Sequence, residues 1–200
     1  MTTRMFTAVT AVTVVAALSL AACGGNKDGS ADSATTSPAS TATFNDADVV
    51  FVEGMIPHHQ QAVQMAQMAL DSKSLAGDKV KSLATRIAAA QQPEIDLMMG
   101  WLTAWGKPLD STMGGMHGTG GMDGMDGMMS AGDMTALGMD HGTDFDKMWL
   151  TMMIKHHQGA ITASKAVQMN GSNKDVAALA GRIIAAQQAE IDEMTPMIGA

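Results

Sequence analysis

The stretch Met55-Ile56-Pro57-His58-His59-Gln60 is repeated with small changes as Met153-Ile154-Lys155-His156-His157-Gln158 in the second half of this 200-residue chain. The two copies are 156 − 58 = 98 residues apart. A second block of matching residues follows each copy at an offset of 182 − 86 = 96: Arg86, Gln91, Gln92, Glu94, Ile95, Asp96 and Met98 correspond to Arg182, Gln187, Gln188, Glu190, Ile191, Asp192 and Met194. A match of this length indicates duplication of one supersecondary unit.

Each repeat has the spacing of a helical hairpin. In the second block apolar residues recur every three or four positions, as in an amphipathic helix: Val80, Leu83, Ala84, Ile87, Ile95 and Met98, then Val176, Leu179, Ala180, Ile183, Ile191 and Met194. Gly77 and the pair Gly171-Ser172 interrupt the chain between the two helices of each repeat. Tyrosine is absent and aromatic residues make up only 4%, which disfavours a sheet.

We therefore predict an all-α domain over residues 44–198, a ferritin-like four-helix bundle built from hairpins at 44–105 and 143–198. The stretch between them, residues 106–142, is crowded with methionine and glycine. Glycine at this density disfavours a stable helix, so we predict a long connecting loop without regular structure. Such a loop is usually functional or disordered, and simple low complexity is the alternative.

Residues 1–22 have the features of a secretory signal peptide: Arg4 precedes a long apolar run that ends in small residues. The ending Leu20-Ala21-Ala22-Cys23 resembles a bacterial lipobox, which implies cleavage before Cys23 and attachment of lipid to its thiol. An uncleaved anchor or an ordinary signal peptide is the alternative. Residues 23–43 are small and polar, and we predict a flexible tether. The expected location is extracytoplasmic, on the cell membrane.

The charge balance excludes nucleic acid as a partner. The net charge is −8, and removal of the segment that holds Arg4 gives −8 − 1 = −9. Basic residues are scattered singly rather than clustered as a phosphate backbone requires. Cys23 is the only cysteine, so lipidation would leave neither a disulfide nor a thiolate ligand.

Histidine and methionine occur together wherever histidine occurs in this chain, and imidazole with thioether is the ligand set that suits a soft metal, above all Cu(I). Residues three and four apart share a helix face, which groups the candidate ligands of each repeat. The helical candidates are Asp48, Met55, His58, His59 and Met65 in the first repeat and Asp146, Met152, Met153, His156 and His157 in the second. The loop candidates are Met113, Met116, His117, Met122, Met125, Met128, Met129, Met134, Met139 and His141.

Structural roles are the alternative for several of these residues. Buried histidines commonly serve as hydrogen-bonded core residues, and helical methionines commonly fill the core, as we expect for Met68, Met98, Met148 and Met194. Gln91 and Gln187 interrupt the apolar stripe, and Glu94 and Glu190 follow on the same side. These polar groups could bond the free nitrogens of the histidines, or they could pair with the arginines of each repeat, Arg86 and Arg182.

Enzymatic chemistry has little support in the sequence. There is no nucleophile elbow, no Ser-His-Asp spacing and no cysteine nucleophile in the mature chain. A di-iron site requires Glu-x-x-His on two helices, whereas this chain has Met55 and Met153 in place of those glutamates. We expect a protein that is not an enzyme. A metal-dependent oxidase and an envelope interaction module with structural histidines are the alternatives.

The duplicated pattern Asp-x-x-Phe/Trp, Met-Ile-x-His-His-Gln and Gln-x-x-Glu-Ile-Asp-x-Met resembles the bacterial family called domain of unknown function 305, from Phe44 to Met197. The resemblance implies a ferritin-like helical bundle, export or lipid anchoring, and a relation to periplasmic copper-binding proteins implicated in copper resistance. It also carries ligand candidacy onto Met55, His58, His59, Met153, His156 and His157. The expected function is sequestration of Cu(I), or its transfer between copper-donor and copper-acceptor proteins.

Overall fold

A computed structural model describes residues 43–108 and 125–199 of the chain. The predicted signal peptide, Cys23 and the predicted tether up to residue 42 lie outside the described residues. So do four of the predicted loop ligands, Met113, Met116, His117 and Met122.

Five α-helices make up most of the described part of the chain: α1 (Asp46–Leu70), α2 (Asp78–Ala104), α3 (Ala131–Met139), α4 (Gly142–Asn170) and α5 (Lys174–Met194). Short 3₁₀ turns, Ser72–Ser74 and Thr195–Met197, follow α1 and α5. The four long helices form the hairpins α1–α2 and α4–α5, and α1 packs against α4. The prediction of an all-α fold from two helical hairpins is confirmed, and the described residues contain no strand.

Equivalent residues of the two repeats meet where α1 packs against α4. His58 lies against His156, with ring centroids 3.7 Å apart. Seven residues later on α1 and seven earlier on α4, the indole N–H of Trp149 donates to the carbonyl of Met65 at 2.8 Å. The two helices therefore run antiparallel, and an approximate two-fold axis passes between the imidazoles.

Helix α3 corrects the prediction of an irregular loop over 106–142. A capping box begins this helix: the Ser130 hydroxyl accepts from Asp133 N at 3.1 Å, and the Asp133 carboxylate accepts from Ser130 N at 3.0 Å. Leu137 is fully buried in the core, and Met134 packs against the same cluster. Capping and burial together outweigh the helix-breaking tendency of the two glycines in this segment.

Asp48 and Asp146 each bind the turn of the opposite hairpin. The Asp48 carboxylate accepts from the backbone N–H groups of Asn45 at 2.9 Å, Ser172 at 3.0 Å and Asn173 at 3.1 Å, and from the Ser172 hydroxyl at 3.2 Å. The Asp146 carboxylate accepts from Gly77 N, with both oxygens at 3.1 Å. The repeated aspartates thus join the two hairpins at opposite ends of the bundle.

The core consists of two clusters of buried apolar residues and is rich in methionine. Met98 and Met194 are fully buried in it, while Met68 and Met148 pack at its edge, as a core-filling role requires. On the surface, the Arg86 guanidinium links α2 to α5 by donating to both carboxylate oxygens of Glu193 at 2.6 and 2.5 Å. Within the described ranges, none of the helices combines the length and the apolar character that crossing a membrane requires.

Candidate metal site

The His58 and His156 side chains form a tilted stack at the centre of the bundle, one from α1 and one from α4. Their ring planes are inclined by 36°, and neither side chain has any solvent exposure. None of their four ring nitrogens makes a hydrogen bond of good distance and angle, although the backbone of Asp126 lies close to His58. Buried polar atoms nearly always have partners, so this pair is a candidate for binding a ligand.

Both stacked imidazoles are neutral at physiological pH. Burial, followed by the nearby His59 and His157, lowers the pKa of His58 to about 3, and the adjacent backbone of Asp126 opposes this shift only in part. Burial, followed by His58 as the next largest cause, lowers the pKa of His156 well below the ordinary 6.5. A neutral imidazole retains a nitrogen lone pair, which is the form that binds metals.

The second histidine of each pair turns toward a glutamate of its own hairpin. His59 Nε2 lies 2.9 Å from Glu94 Oε2, and His157 Nε2 lies 2.7 Å from Glu190 Oε2. The sequence left open whether the glutamates of each repeat bond the histidines or the arginines. They bond the histidines, and Arg86 pairs with Glu193. A bonded carboxylate fixes the ring orientation and leaves Nδ1 of each histidine without a partner. Gln91 is buried, and neither of its side-chain polar atoms has a hydrogen bond.

Several predicted thioether ligands lie within one or two helical turns of the stacked imidazoles. The methionines at positions 55 and 153 are fully buried three residues before His58 and His156, and Met152 is nearly buried four residues before His156. Met65 is fully buried seven residues after His58. Among residues 43–108 and 125–199, no three His, Cys, Asp or Glu side chains are grouped closely enough to hold a metal ion by themselves.

Other predicted ligands lie away from the imidazoles. Asp48 and Asp146 are ten residues from the histidines, about 15 Å along their helices, with carboxylates bonded to turns. Met139 is 71% exposed at the end of α3, and His141 is exposed at the start of α4, about 22 Å along that helix from His156. The structure therefore does not bring these four residues to the stacked pair.

The last part of the connecting loop, residues 125–130, crosses α1 and α4 beside the histidines, and we call it the strap. The Gln61 side chain holds its backbone, donating to Met129 O at 2.9 Å and accepting from Met129 N at 2.7 Å. The Met125 methyl group lies against Gly54, and the Asp126 carbonyl lies against Gly159, where a β-carbon would overlap it. Sequence reasoning missed Gln61 and the two glycines, although these three residues occupy two positions at which the repeats differ.

The remaining predicted loop ligands belong to the strap or to α3. Met129 is buried in the core, Met128 is half-buried in the strap, and Met134 is half-buried on α3. The strap thus places thioethers at the surface of the α1–α4 pair. We expect this region to respond to metal more than the helices do, because its backbone lies in turns and irregular structure rather than in a helix.

The depressed pKa of the stacked histidines predicts an acid-sensitive metal-free protein. Between pH 6.5 and about 3 the unfolded chain binds a proton at His58 that the folded chain does not bind, and the lowered pKa of His156 acts in the same direction. The free energy of unfolding should therefore fall as the pH falls through this window, by up to about 1.4 kcal/mol per pH unit for each histidine. Urea unfolding at pH 7, 6 and 5 measures the slope. A slope no steeper than that of a variant with leucine at both positions would contradict the assignment.

Comparison with known proteins identifies a family and several solved structures that resemble this chain. The family model described as domain of unknown function (DUF305) matches residues 48–198. A DUF305 fragment from Deinococcus radiodurans is 29% identical, with 79% of this chain and 97% of that chain covered and a TM-score of 0.66. A secreted DUF305 protein from Streptomyces coelicolor is 29% identical over 76% of this chain and 92% of that chain, with a TM-score of 0.64.

A third solved protein is CopM in its Cu(II)-bound form, 33% identical over 76% of this chain and 95% of that chain, with a TM-score of 0.63. CopM has also been solved in Cu(I)-bound and silver-bound forms. No curated protein matches the chain. Because the family model covers most of the chain, including both histidine motifs, the protein belongs to the DUF305 family.

Proposed function

We propose that this protein binds copper outside the cytoplasm, holding Cu(I) between histidine and methionine ligands and passing it to a partner, with no catalytic turnover. The observation that carries the proposal is the stacked pair His58 and His156, neutral and buried, with four ring nitrogens that have no partner. Leaving a buried polar atom without a partner costs about 1–3 kcal/mol. In each neutral imidazole one nitrogen carries a proton and the other can bind a metal ion, so metal binding would give partners to two of these four atoms.

The surrounding donors favour a soft ion over a hard one. Met55, Met152 and Met153 lie within about one helical turn of the pair, and imidazole with thioether suits Cu(I). The similarity to CopM, which is solved with Cu(I), Cu(II) and silver bound, supports copper as the metal. Silver(I) has the same charge and a similar preference for sulfur, and it serves as a redox-inert probe.

Release to a partner protein is compatible with these ligands. Thioether and neutral imidazole carry no charge, so a partner's ligands can replace them one at a time. The net charge of −8 gives the protein a mild attraction for cations that is independent of the site itself. We propose sequestration or transfer as the use of the bound ion, with copper-donor and copper-acceptor proteins as partners.

The proposed location rests on the sequence before Phe44. A lipid on Cys23 and a tether of about twenty residues would hold the bundle close to the outer face of the membrane. Cys23→Ser should therefore release the protein from the membrane fraction into the soluble extracytoplasmic fraction, with Ser33→Ala as a matched control. Equal membrane retention of the Cys23→Ser protein would contradict the anchor.

Metal analysis of the protein from copper-fed cells tests the function. The protein purified without chelators should retain copper, whereas a variant with alanine at all four motif histidines should retain much less. A metal-dependent oxidase is the second candidate, because Glu94 and Glu190 bring carboxylates to His59 and His157. Steady oxygen consumption with Cu(I), at many turnovers per protein, would favour the oxidase. Retention of copper without turnover supports a binding protein.

A further inference from the structure

The two repeats differ at two positions that face the strap. At the offset of 98 residues, Gly54 corresponds to 54 + 98 = 152, which is Met152, and Gln61 corresponds to 61 + 98 = 159, which is Gly159. In the first repeat Gly54 leaves a space, and the Met125 methyl group lies 2.9 Å from where its β-carbon would be. In the second repeat Met152 has a thioether of its own at the equivalent position.

Each stacked imidazole therefore has a thioether at the preceding turn of its helix. Side chains four residues apart share a helix face, and helical side chains lean back over the turn before them. His58 thus leans toward Gly54 and the thioether of Met125, and His156 leans toward Met152. The antiparallel packing places the two thioethers on opposite sides of the imidazole stack along the helix axes.

The difference between Gln61 and Gly159 holds the strap in this place. Gln61 binds both polar backbone atoms of Met129, while Gly159 offers no side chain and lets the Asp126 carbonyl approach. Gly127 follows with φ +90, a conformation that favours glycine, and a β-carbon there would lie 2.6 Å from the Lys155 carbonyl. The strap is therefore fitted closely to α4 on one side and bonded to α1 on the other.

We propose that the strap supplies Met125 as a metal ligand beside His58, as Met152 does beside His156, so that each stacked imidazole has one sulfur partner for Cu(I) or Ag(I). The proposal rests on the proposed function and specifies its ligands. All four donors are neutral, so the buried complex carries only the charge of the ion. Burying a single charge costs far less than burying a double one, which favours the monovalent ion over Cu(II).

Two isosteric substitutions test the sulfur ligands. Met125→Leu and Met152→Leu keep the apolar volume and remove the donor atom. Each should weaken Cu(I) binding at its own imidazole about tenfold or more in anaerobic competition with a chromophoric Cu(I) chelator, and each should lower the average number of sulfur neighbours per copper in X-ray absorption. Met139→Leu, at an exposed methionine of α3, is the matched control and should change neither quantity.

A second test displaces the strap without altering a ligand. Gly159→Ala places a methyl group where the Asp126 carbonyl lies, so Met125 should leave its position and Cu(I) affinity should fall as in Met125→Leu. Gly100→Ala is the matched control, because a β-carbon there meets nothing within 4 Å, and affinity should be retained. Loss of protease protection in the strap of Gly159→Ala, measured with Ag(I) bound, separates strap displacement from global unfolding.

The outcomes distinguish this inference from the proposed function. If Met125→Leu, Met152→Leu and Gly159→Ala all bind Cu(I) as the unmodified protein does, with an unchanged sulfur count, the ligand set is wrong while copper binding stands. If the unmodified protein binds neither Cu(I) nor Ag(I), the proposed function is wrong and this inference is wrong with it. Weaker binding in all three variants, with both controls unchanged, supports Met125 and Met152 as the sulfur partners of His58 and His156.

Discussion

Replacing His58 and His156 together by leucine should weaken Cu(I) binding on the order of 100-fold or more and, at the same time, stabilise the metal-free protein. Affinity falls because two nitrogen ligands are lost. Stability rises because the substitutions remove four buried ring nitrogens that have no hydrogen-bond partner, and we expect a gain of roughly 1–3 kcal/mol at pH 7. Chelator competition measures the first effect and urea unfolding of the metal-free protein measures the second.

The opposite signs separate a ligand role from a structural one. A structural histidine pair would predict a less stable protein when replaced, as most buried substitutions do. His141→Leu is the control, since His141 is exposed and lies far along α4 from the pair. A double variant that is both less stable and unchanged in Cu(I) affinity would show that the stacked imidazoles serve the fold alone.

Asp48→Ala should produce the reverse pattern, with a large loss of stability and little change in Cu(I) affinity. The Asp48 carboxylate accepts four hydrogen bonds, three of them from backbone N–H groups, and it joins the start of α1 to the turn before α5. Removing it leaves buried donors without an acceptor, and we expect a loss of about 2–4 kcal/mol in the free energy of unfolding. Urea unfolding measures the loss.

Two comparisons sharpen the Asp48 prediction. Asp146→Ala should cost less, because Asp146 accepts from a single N–H group, that of Gly77. Asp46→Ala, at an exposed carboxylate in the first turn of α1, should change stability by only a few tenths of a kcal/mol. If Asp48→Ala abolished Cu(I) binding while the protein stayed folded, the aspartate would be a ligand after all.

The fold could be predicted because its determinants are local and occur twice. The apolar spacing of α2 and α5 identifies two helices, and the glycines at 77 and 171 mark their turns, since both residues cap helices in the structure. The duplication then predicts a pair of equivalent hairpins. Repetition also directs attention to the histidine pairs, because a motif that survives in both copies stands out against the rest of the sequence.

The details of the site could not be predicted, because they depend on contacts between distant segments. No local signal shows that His58 meets His156 while His59 turns to Glu94. Asp48 shares the repeat with the histidines, and only its contacts with the turn at Ser172 reveal a structural role. Helix α3 forms despite its glycines because its cap and its buried leucine outweigh them.

The strap has a weaker signal in the sequence. When the two repeats are aligned, Gly54 corresponds to Met152 and Gln61 corresponds to Gly159. A departure from an otherwise close repeat marks a position where the two halves have different surroundings, and here the surroundings are the strap. Alignment of the repeats could have identified these positions, although it could not have shown what lies against them.

X-ray absorption at the copper edge of the protein, loaded anaerobically with one equivalent of Cu(I), shows whether the stacked imidazoles bind the ion. We predict both imidazole nitrogen and thioether sulfur as neighbours of the copper, with the nitrogen signal lost in the double leucine variant. A first shell that contains no imidazole in the unmodified protein, or one that is unchanged when His58 and His156 are replaced, would contradict it.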